Sequence, residues 1–140
     1  MKNLIILLLF LFFGFYTAMA QDITQLKKQL NAVKSDTARV RLLNEIAATF
    51  FVAYEYDSCK HYAMEALNGA TQLMSKEDIK KNPAYNLACK KLYAKAVENM
   101  GCAIMYVNTT SAVDTFMVAD RLCGGSGAKI GLTSVFLRIG

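Results

Sequence analysis

The chain has 140 residues, of which 16 are Lys or Arg and 11 are Asp or Glu, so its formal net charge is +5. This length is enough for one small domain. The positive residues are spread along the chain, and no aromatic residues interleave with an Arg-rich run. Because nucleic-acid interfaces need such clustering, we expect no nucleic-acid partner.

The first twenty residues have the three parts of an export signal. Lys2 supplies a basic start, residues 4–16 are apolar apart from Gly14, and Ala18–Ala20 fits the small-x-small cleavage pattern. The apolar run is shorter than the roughly 20 residues that a spanning helix needs. We therefore predict a cleaved signal peptide over residues 1–20 and a periplasmic or secreted protein, with an uncleaved membrane anchor as the alternative.

Residues 21–34 follow with an amphipathic pattern. Apolar residues recur at three- and four-residue steps, which places them on one side of a helix. We predict a short N-terminal helix that caps the open end of the first helical pair, with a mobile terminus as the alternative. The apolar side consists of Ile23, Leu26, Leu30 and Val33.

Two helices joined by a short turn are predicted between residues 37 and 74. In each half the apolar residues share one helical face, and the short connection makes the two helices antiparallel. The first face carries Val40, Leu43, Ile46, Ala47 and Phe50. The second carries mostly small residues, which allow another helix to approach closely: Cys59, Ala63, Ala66, Leu67, Ala70 and Leu73.

Polar residues mark the ends of these two helices. Ser35 or Asp36 can accept the free amide protons in the first turn of the first helix. Asp57 or Ser58 can do the same for the second helix. The turn between the helices is predicted at Tyr54–Tyr56.

A long helix is predicted after the polar insertion at residues 75–83. Asn82 can cap it, and Pro83 suits its first position because proline has no amide proton to leave unpaired there. The helix is expected to reach about Val107. Its apolar stripe consists of Leu87, Leu92, Ala96, Val97, Met100, Ala103 and Ile104.

Two further helices are predicted towards the C-terminus. A turn at residues 108–111 precedes a helix over residues 112–123. The glycine-rich run 124–127 ends that helix, because glycine adopts left-handed backbone angles at little cost. A last helix begins near Ala128. Since no alternating strand pattern follows the leader, we predict an all-α domain over residues 35–140.

A motif of small residues occurs twice along the chain and resembles the tetratricopeptide repeat family. Tyr56-Asp57 matches the turn of that family. Ala63 replaces the usual aromatic residue, the second copy has one turn residue fewer, and the family's terminal proline is absent from both copies. The two copies are Ile46-Ala47 with Cys59, Ala63 and Ala66, and Met100-Gly101 with Ala112, Phe116 and Ala119.

The resemblance implies antiparallel helix-turn-helix pairs stacked as a short solenoid. A third motif, Arg138–Gly140, begins an incomplete repeat, so we expect either a truncated piece of a longer protein or an end that docks elsewhere. The leader together with these repeats is similar to bacterial envelope proteins of the family. Many of those continue into a membrane helix and a histidine kinase or a transcriptional output domain.

The resemblance also implies a binding groove, because in this family helix A residues on the inner face bind peptides or partner domains. We therefore expect a protein–protein interaction module, with the sensory N-terminal part of a signalling protein as its further interpretation. A structural or self-associating envelope protein is the alternative, and Phe51 has the alternative of packing against the N-terminal helix. The implied groove positions are Asn44, Ala48, Phe51, Lys95, Glu98, Cys102 and Met105.

Residues that support catalysis form no recognised pattern, so we expect no enzymatic activity and no cofactor. His61 is expected to be solvated, and with no CxxC pair it completes no convincing metal site. Four cysteines in an exported chain permit disulfides. Two of them, Cys59 and Cys102, occupy small-residue positions, which favours packed free thiols. The full set is Cys59, Cys89, Cys102 and Cys123.

Overall fold

A computed structural model describes residues 22–105 together with residues 114, 115 and 117. Within these residues the protein is all-helical and has no strand, which confirms the predicted class for this part of the chain. Helix α1 covers residues 22–32. Four helices follow in the described part: α2 (Asp36–Val52), α3 (Tyr56–Ser75), α4 (Glu77–Lys81) and α5 (Pro83–Met105).

Several predictions concern parts of the chain outside the described residues. They are the leader over residues 1–20, the turn at residues 108–111, most of the helix over residues 112–123, the glycine run, the last helix and the third repeat motif. Cys123 and Ala119 also lie outside the described residues.

Helices α2 and α3 form the predicted antiparallel hairpin. The amide of Ala38 donates to Ser35 Oγ at 3.4 Å, so the predicted Ser35 cap is confirmed. At the start of α3 the prediction of an Asp57 or Ser58 cap is wrong. The cap position is Glu55, whose carboxylate accepts a hydrogen bond from the Ser58 hydroxyl at 3.3 Å and none from a backbone amide.

The turn between α2 and α3 explains why α3 begins early. The amide of Tyr54 donates to Phe51 O at 3.0 Å, and the amide of Glu55 donates to Phe50 O at 2.9 Å. These two bonds form a Schellman motif, whose pivotal residue takes the left-handed conformation. Tyr54 is that residue, with a φ of 62°. The motif closes α2 and directs the chain into α3 within three residues.

Helix α3 is the central helix, because it packs along both α2 and α5, while α2 and α5 meet along a narrower line. Its buried face is the predicted small-residue stripe, although Leu67 is only half-buried. Ala66 and Ala47 have no exposed surface, and Gly101 is buried as well. Short side chains therefore lie at the helix crossings, as expected from the sequence, wherever the structure describes those positions.

The directions of the helices follow from the contacts of α3. Its end leads through α4 into the start of α5, and near its own start the Cys59 thiol donates to Asn99 O, late in α5, at 3.5 Å. Helices α3 and α5 are therefore antiparallel. Since α2 is also antiparallel to α3, α2 and α5 run parallel to each other, and both pack against α3.

Helix α5 begins as predicted, because Asn82 Oδ1 accepts the amides of Ala84 and Tyr85 at 3.1 and 3.3 Å. The predicted apolar stripe is wrong at its N-terminal end, where Leu87 is 48% exposed and Cys89 is buried instead. The first turns of α5 are mostly exposed, and within residues 22–105 no helix covers Leu87. The polar insertion holds helix α4, which the sequence did not indicate.

Helix α1 packs on the hairpin. Leu30 is buried, and Ile23, Leu26 and Val33 are partly buried against the core. Lys27 Nζ lies 5.1 Å from the ring centroid of Phe50 and 5.5 Å from that of Tyr62. Those rings stack with centroids 5.4 Å apart, so the ammonium group makes a cation–π contact with both.

The close approach of Gly69 to Val40 within the hairpin leads to a testable prediction. A Cβ added at Gly69 would lie 2.7 Å from Val40 Cγ2. Valine in a helix has one strongly preferred rotamer, so the hairpin itself would have to open. We expect Gly69→Ala to lower the free energy of unfolding by about 1–2 kcal/mol, although alanine is the better helix former.

Chemical denaturation measures this loss, and a second background identifies its cause. In a Val40→Ala background the clashing methyl is absent, so Gly69→Ala should there be neutral or stabilising. An equal loss in both backgrounds would contradict the proposed clash.

Candidate functional site

The seven predicted groove positions lie on α2 and α5, the two parallel helices. Lys95 is exposed, and five others are partly buried: Ala48, Phe51, Glu98, Cys102 and Met105. Asn44 is only 4% exposed. The structure therefore places six of the positions at partly accessible sites on neighbouring helices and one inside the interface between them.

Asn44 links α2 to α5 and does not face a groove. Its Nδ2 donates to Leu92 O at 3.0 Å, and Asn99 Nδ2 donates to Asn44 O at 3.0 Å and to Asn44 Oδ1 at 3.4 Å. A buried side-chain amide lowers stability unless its polar atoms have hydrogen-bond partners, and these bonds provide the partners. Asn44 is therefore not an exposed groove residue, and its side chain forms a hydrogen-bonded bridge between the two helices.

An open cleft lies between the N-terminal ends of α2 and α5, and we call it the α2–α5 cleft. Its volume is about 450 Å³, within the range of about 300–1,000 Å³ that is usual for ligand sites. Ala38 and Leu92 contribute apolar surface, Arg41 and Lys91 contribute positive charge, and none of the described residues that line the cleft is acidic. The lining residues are Ser35, Thr37, Ala38, Arg41, Ala88, Lys91 and Leu92.

The positive charges of the cleft are only weakly neutralised by ion pairs. Arg41 Nε lies 4.0 Å from Glu45 Oε1, with both side chains largely exposed, so water screens the pair. In the described part of the chain, Lys91 has no ion pair. Further along α5, Lys95 Nζ pairs with Glu98 Oε1 at 3.1 Å. The attraction for a negative group is therefore strongest at the N-terminal end.

Sequence reasoning missed Arg41 and Lys91, although a signal for them existed. Arg41 precedes Asn44 by three residues, and Lys91 precedes Lys95 by four. Residues at these spacings share one helical face. Extending both predicted faces by one turn towards the N-termini would have included the two cations.

A second cleft, of about 370 Å³, lies between α2 and α3. Its lining includes Asp36 and Lys76, whose Oδ2 and Nζ are 2.6 Å apart. The hydrogen bond from this ammonium group lowers the pKa of Asp36, and the same bond raises the pKa of Lys76. Because charges of both signs line this cleft and Asp36 pairs with Lys76, it attracts a charged ligand less than the α2–α5 cleft does.

The three described thiols are free, and the single histidine lies on the surface. No disulfide joins Cys59, Cys89 and Cys102, and burial raises the pKa of both Cys59 and Cys89. His61 is exposed and lies 3.2 Å from Glu65 Oε1. Within the described ranges, no group of three or more His, Cys, Asp and Glu side chains is placed to hold a metal ion.

The buried Cys59 thiol makes the stability of the protein depend on alkaline pH. Burial, with the neighbouring Cys102 as a smaller cause, raises the pKa of Cys59 from 9.0 to about 11. Between these values the unfolded chain has lost the proton that the folded chain keeps, so stability falls as pH rises. We expect the melting temperature of the unmodified chain to fall relative to that of Cys59→Ala in this window only. A constant difference from neutral pH to pH 11 would contradict this.

The described residues thus define an all-α protein in which a helical hairpin and a third long helix pack through small side chains. No helix of this part is long and apolar enough to cross a membrane. No protein-family model, curated protein or solved structure matches the chain.

Proposed function

We propose that the chain is an exported helical-repeat module that binds a protein or peptide partner in the groove between α2 and α5. In a tetratricopeptide-like arrangement, α2 and α3 are helices A and B of one repeat, and α5 is helix A of the next. The parallel course of α2 and α5 and the buried Ala47, Ala66 and Gly101 support this assignment.

The observation that carries the binding proposal is the α2–α5 cleft. Its apolar surface can bury a side chain, and its two cations favour a partner with carboxylates next to that side chain. An acidic peptide segment that contains an aromatic or aliphatic residue has this chemistry. Binding, and not catalysis, is the activity we assign to the site.

The binding proposal can be tested with a fluorescently labelled acidic peptide that contains one tyrosine. We expect saturable binding that weakens with salt, because exposed charges are screened. The double variant Arg41→Glu with Lys91→Glu, which we call the cleft variant, should bind at least ten-fold more weakly, because it reverses both charges that face the peptide.

A matched control separates the cleft from the overall charge. Arg39→Glu with Lys28→Glu makes the same change in net charge at two exposed positions that do not line the cleft. We expect the control to keep near-normal affinity. Equal losses in the two double variants, or no loss in either, would contradict the assignment of the cleft.

The export part of the proposal rests on the sequence of residues 1–20. The mass of the chain recovered from the producing cell tests it directly. A chain that begins at Gln21 is the expected result, and a chain that keeps its leader would favour the membrane-anchored alternative. The sensory interpretation predicts a membrane helix and an output domain encoded after Gly140, and a stop codon directly after that residue would count against it.

A further inference from the structure

The turn between α2 and α3 carries an exposed surface that the groove does not use. We call it the aromatic tip and define it by Val52, Tyr54, Glu55, Tyr56 and Asp57. Tyr54 is 74% exposed and Val52 is 56% exposed. The rings of Tyr54 and Tyr56 meet edge to face, with centroids 6.4 Å apart. The tip therefore presents an apolar projection at one end of the hairpin.

Tyr54 holds a backbone conformation that glycine adopts more readily. With a φ of 62°, it occupies the left-handed position of the Schellman motif, where glycine is the usual residue. Burial of its ring does not offset this cost, because most of the side chain is exposed. Strained residues of this kind cluster at functional sites. The side chain of Tyr54 is thus a candidate for contact with another molecule.

The tip is acidic, whereas the α2–α5 cleft is basic. Glu55 and Asp57 flank the aromatic rings, and Asp57 has no ion pair within the described residues. The tip follows the C-terminal end of α2, while the cleft lies at its N-terminal end. The length of α2 separates them by roughly 20 Å, so the tip cannot reach the cleft of its own chain.

We propose that the aromatic tip of one chain binds in the α2–α5 cleft of a second copy. Tyr54 then covers the apolar surface of Ala38 and Leu92, and the carboxylates of the tip pair with Arg41 and Lys91. This inference rests on the proposed function, since it names the partner of the same cleft. Tip and cleft are different surfaces, so the contact is head to tail. A bound pair keeps one free cleft, on the copy that gives its tip, and one free tip, on the other copy, so further copies can add.

The test uses two variants that each lose one of the two surfaces. The tip variant is Tyr54→Gly with Glu55→Gln, and its glycine suits the left-handed backbone, so we expect it to fold. The other is the cleft variant. The unmodified chain, purified from the producing cell, should form oligomers larger than dimers as its concentration rises. Added salt should weaken this self-association. Each variant alone should associate at least ten-fold more weakly.

An equal mixture of the two variants is the decisive sample. The mixture keeps one native tip, on the cleft variant, and one native cleft, on the tip variant. One contact can therefore form, and analytical ultracentrifugation should show dimers and nothing longer. The proposal is overturned if the unmodified chain stays monomeric, if either variant still assembles as the unmodified chain does, or if the mixture stays monomeric.

The acidic peptide distinguishes failure of this inference from failure of the proposed function. The tip variant keeps its cleft and loses the competing tip, so it should bind the peptide at least as tightly as the unmodified chain does. If the unmodified chain is monomeric but still binds the peptide through Arg41 and Lys91, self-association is wrong and the binding function stands. If the cleft variant binds the peptide normally, the proposed function is wrong as well.

Discussion

Asn99→Ala is expected to lower the free energy of unfolding by about 3 kcal/mol, more than a surface substitution does. The side-chain amide of Asn99 donates to both Asn44 O and Asn44 Oδ1, and its removal leaves these buried acceptors without that donor. An unpaired buried polar group costs about 1–3 kcal/mol, and the truncated side chain also leaves a small void. Urea denaturation measures the loss.

Asn68→Ala is the matched control for this prediction. Asn68 is an exposed asparagine on α3, and its side chain makes no hydrogen bond to another described residue that the substitution would remove. We expect the control to change stability by less than about 0.5 kcal/mol. A loss below about 1 kcal/mol for Asn99→Ala would show that the bridge between α2 and α5 contributes little.

Ala66→Leu is expected to cost about 2–3 kcal/mol, because it adds three carbon atoms where α3 packs between its neighbours. Ala66 has no exposed surface, and the core of α3 around it consists of other small residues. The larger side chain fits only if the helices move apart, and thermal denaturation together with circular dichroism reports the result.

Ala84→Leu supplies the comparison, since it makes the same change at an exposed position in the first turn of α5. We expect it to leave stability within about 0.5 kcal/mol of the unmodified chain. If both leucines are tolerated equally, close packing through short side chains does not hold the hairpin against α5.

The helices of the hairpin could be predicted because their signals are local. Val40, Ile46 and Phe50 repeat at helical spacing, and Asn82 with Pro83 marks a helix start regardless of the surrounding fold. The cap of α3 was not predictable in this way. It depends on Tyr54 adopting a left-handed conformation, and a tyrosine gives no sequence signal for that.

Residues whose partners are distant in the sequence were harder to place by prediction. Asn44 has the polarity of a groove residue, and only its bond to Leu92 and its contacts with Asn99, 55 residues away, show that it is buried. Helix α4 is polar, with Ile79 as its one core contact, so it has no amphipathic stripe to detect. Leu87 lies at the correct helical spacing, but it lies beyond the part of α5 that packs on α3.

The groove implied by the resemblance stays a prediction, and the structure supplies only the geometry of its positions. The two helices that carry them, α2 and α5, lie side by side. The open, charged part lies one turn earlier, at Arg41 and Lys91, because the Asn44–Asn99 bridge closes the two helices further along. The position of a bridge between two helices cannot be deduced from either helix alone.

Mapping the bound peptide by NMR tests the assignment of the α2–α5 cleft most directly. The tip variant, labelled with nitrogen-15, is titrated with the unlabelled acidic peptide, so that self-association does not compete. We predict saturable shifts centred on the amides of Thr37, Arg41 and Lys91. Shifts centred instead on Asn68 and Gln72, which line the α2–α3 cleft, or no saturable shift at all, would contradict the account.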